Sequence, residues 1–108
     1  ALLELDLAQR PTAVLCFSAR VARGLRDCLL RAGVAVPEQL SLIGYDDSAP
    51  ARLGTVDLSS VSQDPDHLAG AALALLAGRL DGAEQTAPER DVVIRPRLVP
   101  RSSTAPPR

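Results

Sequence analysis

The sequence predicts an α/β fold, a parallel sheet with flanking helices. Short apolar runs of strand length alternate with longer segments of helical periodicity, the pattern of βα units. The runs are nearly continuous, as in strands buried on both faces. The 108 residues are 46% apolar, and a chain of that length buries roughly 65% of its unfolded surface, enough for one domain with a core.

The elements follow in order. Residues 1–9, ALLELDLAQ, read as the tail of a helix begun upstream, broken at Arg10-Pro11-Thr12 because proline disfavours helix in the residue before it. Residues 12–17, TAVLCF, form a first strand. A helix is expected over 19–32, with Val21, Leu25, Cys28, Leu29 and Ala32 as its core stripe and Gly33 at its left-handed end. Residues 39–45, QLSLIGY, form the second strand, which ends at Asp46 and Asp47. Residues 48–57 are irregular or one short helical turn, and 58–62, LSSVS, a third strand. Asp64 caps a helix over 65–80 with Pro65 in its first turn. Its broad stripe comprises Leu68, Ala72, Leu73, Leu75, Leu76 and Leu80. A loop over 81–89, extended segments interrupted by Pro96 and a loose tail over 102–108 complete the chain.

Composition narrows the function. Net charge is −1 and all twelve cations are Arg. That balance argues against a nucleic-acid surface on this segment, since phosphates call for clustered positive charge. Cys16 and Cys28 lack CxxC or zinc spacing and read as two buried thiols. No apolar run approaches the roughly 20 residues needed to span a bilayer. The chain lacks Met even at position 1, so it is expected to begin inside a longer gene product.

Catalysis finds little support. Adjacent carboxylates point in different directions and rarely flank one bond as a catalytic pair must. The single histidine, His67, falls on the first turn of a helix. A phosphate loop requires a lysine, and metal binding needs more ligands than Asp46 and Asp47 offer. No cofactor is expected. In parallel sheets ligands bind beyond the carboxyl ends of strands. Two stretches lie there, Phe17-Ser18-Ala19 and Tyr45-Asp46-Asp47. A carboxylate at a strand end can accept hydrogen bonds from ligand hydroxyls or from amides of the following turn, and spacing leaves both open.

Residues 36–47, VPEQLSLIGYDD, resemble the VP-E-D-x-S-V-x-G-[FY]-D-D signature of the LacI/GalR family of bacterial transcription regulators. Residues 10–33, RPTAVLCFSARVARGLRDCLLRAG, are similar to that family's PTAVxxxND segment and the helix after it. LSSVSQD, 58–64, resembles its L-T-T-V-x-Q stretch, and RPRLVPRSSTAPP its closing L-x-x-R-x-S-T. Four ordered motifs at compatible spacing make the match specific.

The resemblance implies a Rossmann-like fold similar to type I periplasmic binding proteins, of which residues 1–101 would be the C-terminal portion. The helix-turn-helix that binds DNA would lie outside this chain. It implies a cytoplasmic, non-enzymatic regulator without membrane attachment, binding a small-molecule, sugar-like effector and acting as a homodimer. Asp46 would accept hydrogen bonds from effector hydroxyls, with Gln63, Tyr45 and Ser18 as further contacts, and Asp47 would organise the next turn. Ser18 has a second reading, as the cap of the 19–32 helix. Ser18-Ala19 departs from the family's Asn-Asp, which implies a different, bulkier or differently hydroxylated effector, or a lost response. Helix 65–80 would lack its usual partner. Leu30, opposite the Val21/Leu25/Ala32 stripe and beside Arg23, would anchor the dimer interface. A periplasmic sugar-binding receptor is the rival reading. The VP-x-x-x-S spacing and the closing Arg-Ser-Ser-Thr argue against it.

Overall fold

The computed structural model describes residues 4–6, 9–53, 57–82 and 91–107. The elements are β1 (Ala13–Leu15), α1 (Ala19–Arg31), β2 (Ser41–Tyr45), α2 (Ala49–Arg52), β3 (Ser59–Ser62), α3 (Pro65–Leu80) and β4 (Arg97–Val99). They belong to two compact units, Ala1–Val61 with Leu98–Arg108, and Ser62–Arg97. The helix tail expected over 1–9 and the loop over 81–89 lie largely outside the described residues.

The first unit carries the sheet, with strand order β1-β2-β3-β4. β1 pairs with β2, and β2 with β3, in parallel. Parallel neighbours need a crossover, supplied by α1 between β1 and β2 and by the segment containing α2 between β2 and β3. The predicted sheet is therefore present, and β4 is added at its edge beside β3.

Helix α1 packs on β2, but with a different face from the one its periodicity suggested. Ala19, Ala22 and Leu29 are buried and Leu25 is partly so, whereas Val21, Cys28 and Ala32 are exposed. The cause is close approach. A Cβ added at Gly44 would stand 2.8 Å from Leu58 Cδ2 and 3.2 Å from the Cα of Ala19. Only small residues admit a backbone that near, so Ala19 and Ala22 turn inward and the bulkier Val21 turns out. Cys28 is thus not the buried thiol the sequence suggested. Cys16 is buried, and burial pushes its thiol pKa up. Leu30 likewise does not stand opposite the core face. At about 100° per residue it flanks Ala22 and Leu29 by roughly 80–100°.

Around Leu29, Leu42, Leu58 and Ala51 the core is small and apolar. The expectation of strands buried on both faces fails at β1, where Ala13 and Leu15 are exposed, Leu15 to 66%. α1 covers only the face of Val14, Leu42 and Gly44.

The expected loose tail is instead fastened through Ala105. Ser103 is buried, donates its hydroxyl to the Leu42 carbonyl at 2.6 Å and accepts from the Ser59 amide at 2.8 Å. The Leu42 amide donates to the Ser103 carbonyl. Ser59 Oγ accepts from the Arg101 amide and meets Thr104 Oγ1 at 2.9 Å, and the Ala105 amide donates to Ser41 Oγ. The closing Arg-Ser-Ser-Thr is a clasp laid across β2 and β3, and its hydroxyls account for otherwise unpaired buried backbone groups.

The second unit contains α3, with Asp64 as N-cap accepting from the His67 amide and with Pro65 in the first turn. None of its sixteen residues is buried. Leu68, Leu73, Leu76 and Leu80 are more than half exposed, so the wide apolar face lacks cover among the described residues. No helix of the described residues is long and apolar enough to cross a membrane.

Candidate functional site

At the carboxyl ends of β1 and β2 lies a shallow depression of about 530 Å³, lined by Phe17, Ser18, Arg20, Asp46, Ser48, Ala49 and Pro50. This is where a parallel sheet offers ligands its loops. Two of the predicted site residues, Ser18 and Asp46, share it. Ser18 caps α1, its Oγ accepting from the Val21 amide at 3.2 Å, which leaves the hydroxyl hydrogen free to donate elsewhere. Capping and ligand contact are thus compatible roles for one side chain.

Asp46 and Asp47 form the rim. Both have positive φ, 90° and 48°, so the chain turns sharply as it leaves β2. Aspartate enters this region more readily than most side chains because it can hydrogen-bond locally. Asp46 does so: its Oδ1 accepts from the Ser48 amide at 2.8 Å, while its own amide donates to the Val61 carbonyl. The carboxylate is half-buried, and Oδ2 retains acceptor capacity toward the depression.

Asp47 turns the other way, inward. Its side chain is 4% exposed. Arg101 Nη1 lies 2.7 Å from Oδ1 in an ion pair and also donates to the Leu58 carbonyl. Arg52 Nη2 donates to Oδ2 at 3.1 Å and to the Asp47 carbonyl at 2.9 Å. The Asp47 amide donates to Ser60 Oγ. Burial pushes the Asp47 carboxyl up, and the Arg101 and Arg52 guanidiniums more than offset it, leaving it below its ordinary value. Arg101 also approaches Asp57 at 4.0 Å. Hydrogen bonds from Ser102 are the main cause holding the exposed Asp57 carboxyl low.

The division of labour differs from the expected one. It is Asp46 that bonds the following turn directly, at Ser48, whereas Asp47 ties the turn to α2 and to the C-terminal clasp. Tyr45 ends β2, half-buried and in register with Val61. Gln63 directly follows β3 and belongs to the second unit, where it is exposed. Leu30 is 50% exposed and Arg23 is exposed on α1. Among the described residues, no group of three or more His, Cys, Asp or Glu could hold a metal ion. Sequence reasoning passed over Arg52, Arg101 and Ser60, which fix the elbow, and Arg20, which lines the depression. Only Arg101 had a signal, the Arg of the closing motif.

Comparison with known proteins agrees with this geometry. Residues 1–104 match the periplasmic binding protein-like domain family. The HTH-type transcriptional repressor PurR of Proteus mirabilis (strain HI4320) is 35% identical over 101 residues, 94% of this chain and 29% of the repressor. The crystal structure of a LacI transcriptional regulator from a Rhodococcus species superposes with TM-score 0.83 at 40% identity, covering 97% of this chain and 37% of that one. A LacI family regulator from Lactobacillus casei with bound sucrose gives TM-score 0.77 at 33% identity, covering 95% and 37%. The chain thus spans about a third of the length of these proteins. It belongs to the periplasmic binding protein-like domain family, and its resemblance to the LacI/GalR regulators is borne out along nearly all of its residues.

Proposed function

We propose that this chain is the C-terminal portion of the effector-binding core of a LacI-type transcriptional regulator, in which a small, sugar-like molecule alters operator affinity. The observation that carries the reading is the shared position of Ser18 and Asp46 on one depression at the carboxyl edge of the sheet. It occurs in a chain matched by repressors and by a sucrose-bound regulator. Asp46 accepts from effector hydroxyls through the oxygen not used by Ser48. Tyr45 and Gln63 are further contacts. Asp47 holds the elbow that presents Asp46. The role is binding, not catalysis: the effector shifts a population of conformers, and it acts only through its differential affinity for them.

DNA is bound by a helix-turn-helix outside these residues, and the protein works as a cytoplasmic homodimer with α1 contributing Leu30 to the interface. The exposed apolar faces of α3 and of β1 are covered by the remainder of the effector core. The transport-receptor reading is not favoured, since the relatives are regulators.

The test is Asp46→Ala in the full-length protein. Losing a hydrogen bond to a charged acceptor is expected to weaken effector binding about 10–100-fold. Operator affinity without effector, measured by fluorescence anisotropy, should be unchanged. Normal effector-driven release in this variant would refute the assignment of Asp46.

A further inference from the structure

Two of the larger side chains that line the depression, Phe17 and Arg20, have no task in the effector reading. Building on that reading, we propose that the ligand is a polyhydroxylated ring bearing an anionic group, a carboxylate or a phosphate, and that Arg20 is the residue that selects the anion.

The charge inventory of the lining carries this. Among the described residues that line it, Asp46 is the one carboxylate and Arg20 the one cation, with Ser18 and Ser48 supplying hydroxyls. The guanidinium of Arg20 makes no hydrogen bond or ion pair among the described residues. The other cations near the elbow are committed: Arg52 to the carboxylate and carbonyl of Asp47, and Arg101 to Asp47, Asp57 and the Leu58 carbonyl. Arg20 alone therefore presents a fork of donors to the depression without an acceptor.

The departure at Ser18-Ala19 sharpens the point. Where the related motif has Asn-Asp, this chain has a hydroxyl and a fully buried methyl. A neutral polyol satisfies Asp46 by donating hydroxyls but gives Arg20 only uncharged acceptors. A carboxylate or phosphate matches the planar fork with charge-assisted, two-pronged hydrogen bonds. A cationic ligand is repelled by Arg20, and a wholly apolar one leaves Asp46 desolvated and unpaired. Phe17 is 81% exposed. The C–H face of a ring laid against it removes apolar area from water while the ring's hydroxyls remain available to Asp46.

The experiment is calorimetric titration of the full-length protein with matched ligands: glucose and glucuronate, galactose and galacturonate, and glucose 6-phosphate. The anionic member of a pair is expected to bind about ten-fold tighter than its neutral partner, with the advantage shrinking at high salt. Arg20→Gln should erase that advantage, with a circular dichroism spectrum like the parent's reporting that the variant is folded. A larger gain for glucuronate or galacturonate identifies a sugar acid, and a larger gain for glucose 6-phosphate a sugar phosphate. Equal or tighter binding of neutral sugars overturns the inference while leaving the effector site intact. So does an anion preference that survives Arg20→Gln. If no probe binds, both the effector-site reading and this inference fall.

Discussion

At the end of β2 the chain needs two consecutive residues in the left-handed region, and aspartate fills both positions with opposite consequences. Asp46 stays at the rim with one oxygen spent on Ser48. Asp47 enters the interior, where a carboxylate is tolerated only with partners. Its folded-state pKa lies below the ordinary value because Arg101 and Arg52 outweigh the burial that raises it. The folded protein therefore binds fewer protons than the unfolded chain between the two values. The stability from this pairing is fully present above the unfolded value, about 3.9, and is lost as pH falls through the folded one. Arg101→Ala leaves the buried carboxylate short of a partner, and should cost about 3 kcal/mol near neutral pH by urea unfolding. That gap should narrow in acid, where Asp47 is protonated in either protein. A gap that does not change with pH would show that Arg101 acts through packing or its bond to Leu58, not through Asp47.

Element order was legible in the sequence because it rests on period and punctuation. Gly33, Asp64 and Pro65 mark ends that backbone chemistry dictates, and α3 spans the expected 65–80. The facing of α1 was not legible. The helix carries two apolar stripes, and the choice between them is made by the clearance over Gly44, where Ala19 must fit. Periodicity rewards large side chains and passes over alanine, so it selected Val21 and Cys28. The clasp was hidden for another reason: Ser103 and Arg101 find partners more than forty residues away, a distance at which local pattern carries no signal. Asp46 and Ser18 were legible as strand-end positions, but Arg20 was not, since a lone arginine on a helix ordinarily reads as solvated surface. Correcting the face of α1 changes the meaning of Leu30. It borders the buried stripe and is still 50% exposed, so a charge there can reach water. Leu30→Glu should leave the unfolding free energy of the protomer within about 0.5 kcal/mol, while light scattering shows a lower mass if Leu30 anchors the dimer. Unchanged mass would remove α1 from the interface.

On the scale of the whole molecule, α3 is the feature that the chain cannot account for from its own residues. Leucine and alanine occur around its whole circumference, as in helices enclosed by protein, yet none of its residues is buried. A helix of this composition has little reason to stay helical in water through propensity alone, since most helical stability in proteins comes from packing. The relatives are about three times as long as this chain, so ample protein remains to enclose it. If it does, the same substitution must have two different costs. In the isolated 108-residue chain, Leu73→Asp or Leu76→Asp changes a side chain that is 66% or 53% exposed, and should shift stability by no more than about 0.5 kcal/mol. In the full-length protein the same carboxylate would be desolvated without a partner, and should cost at least about 3 kcal/mol or raise its own pKa to escape the charge. Urea unfolding of both proteins, each with and without the substitution, gives the comparison directly. Equal small effects in the two would mean that this face of α3 remains in solvent, and its apolar surface would then be available to a separate partner.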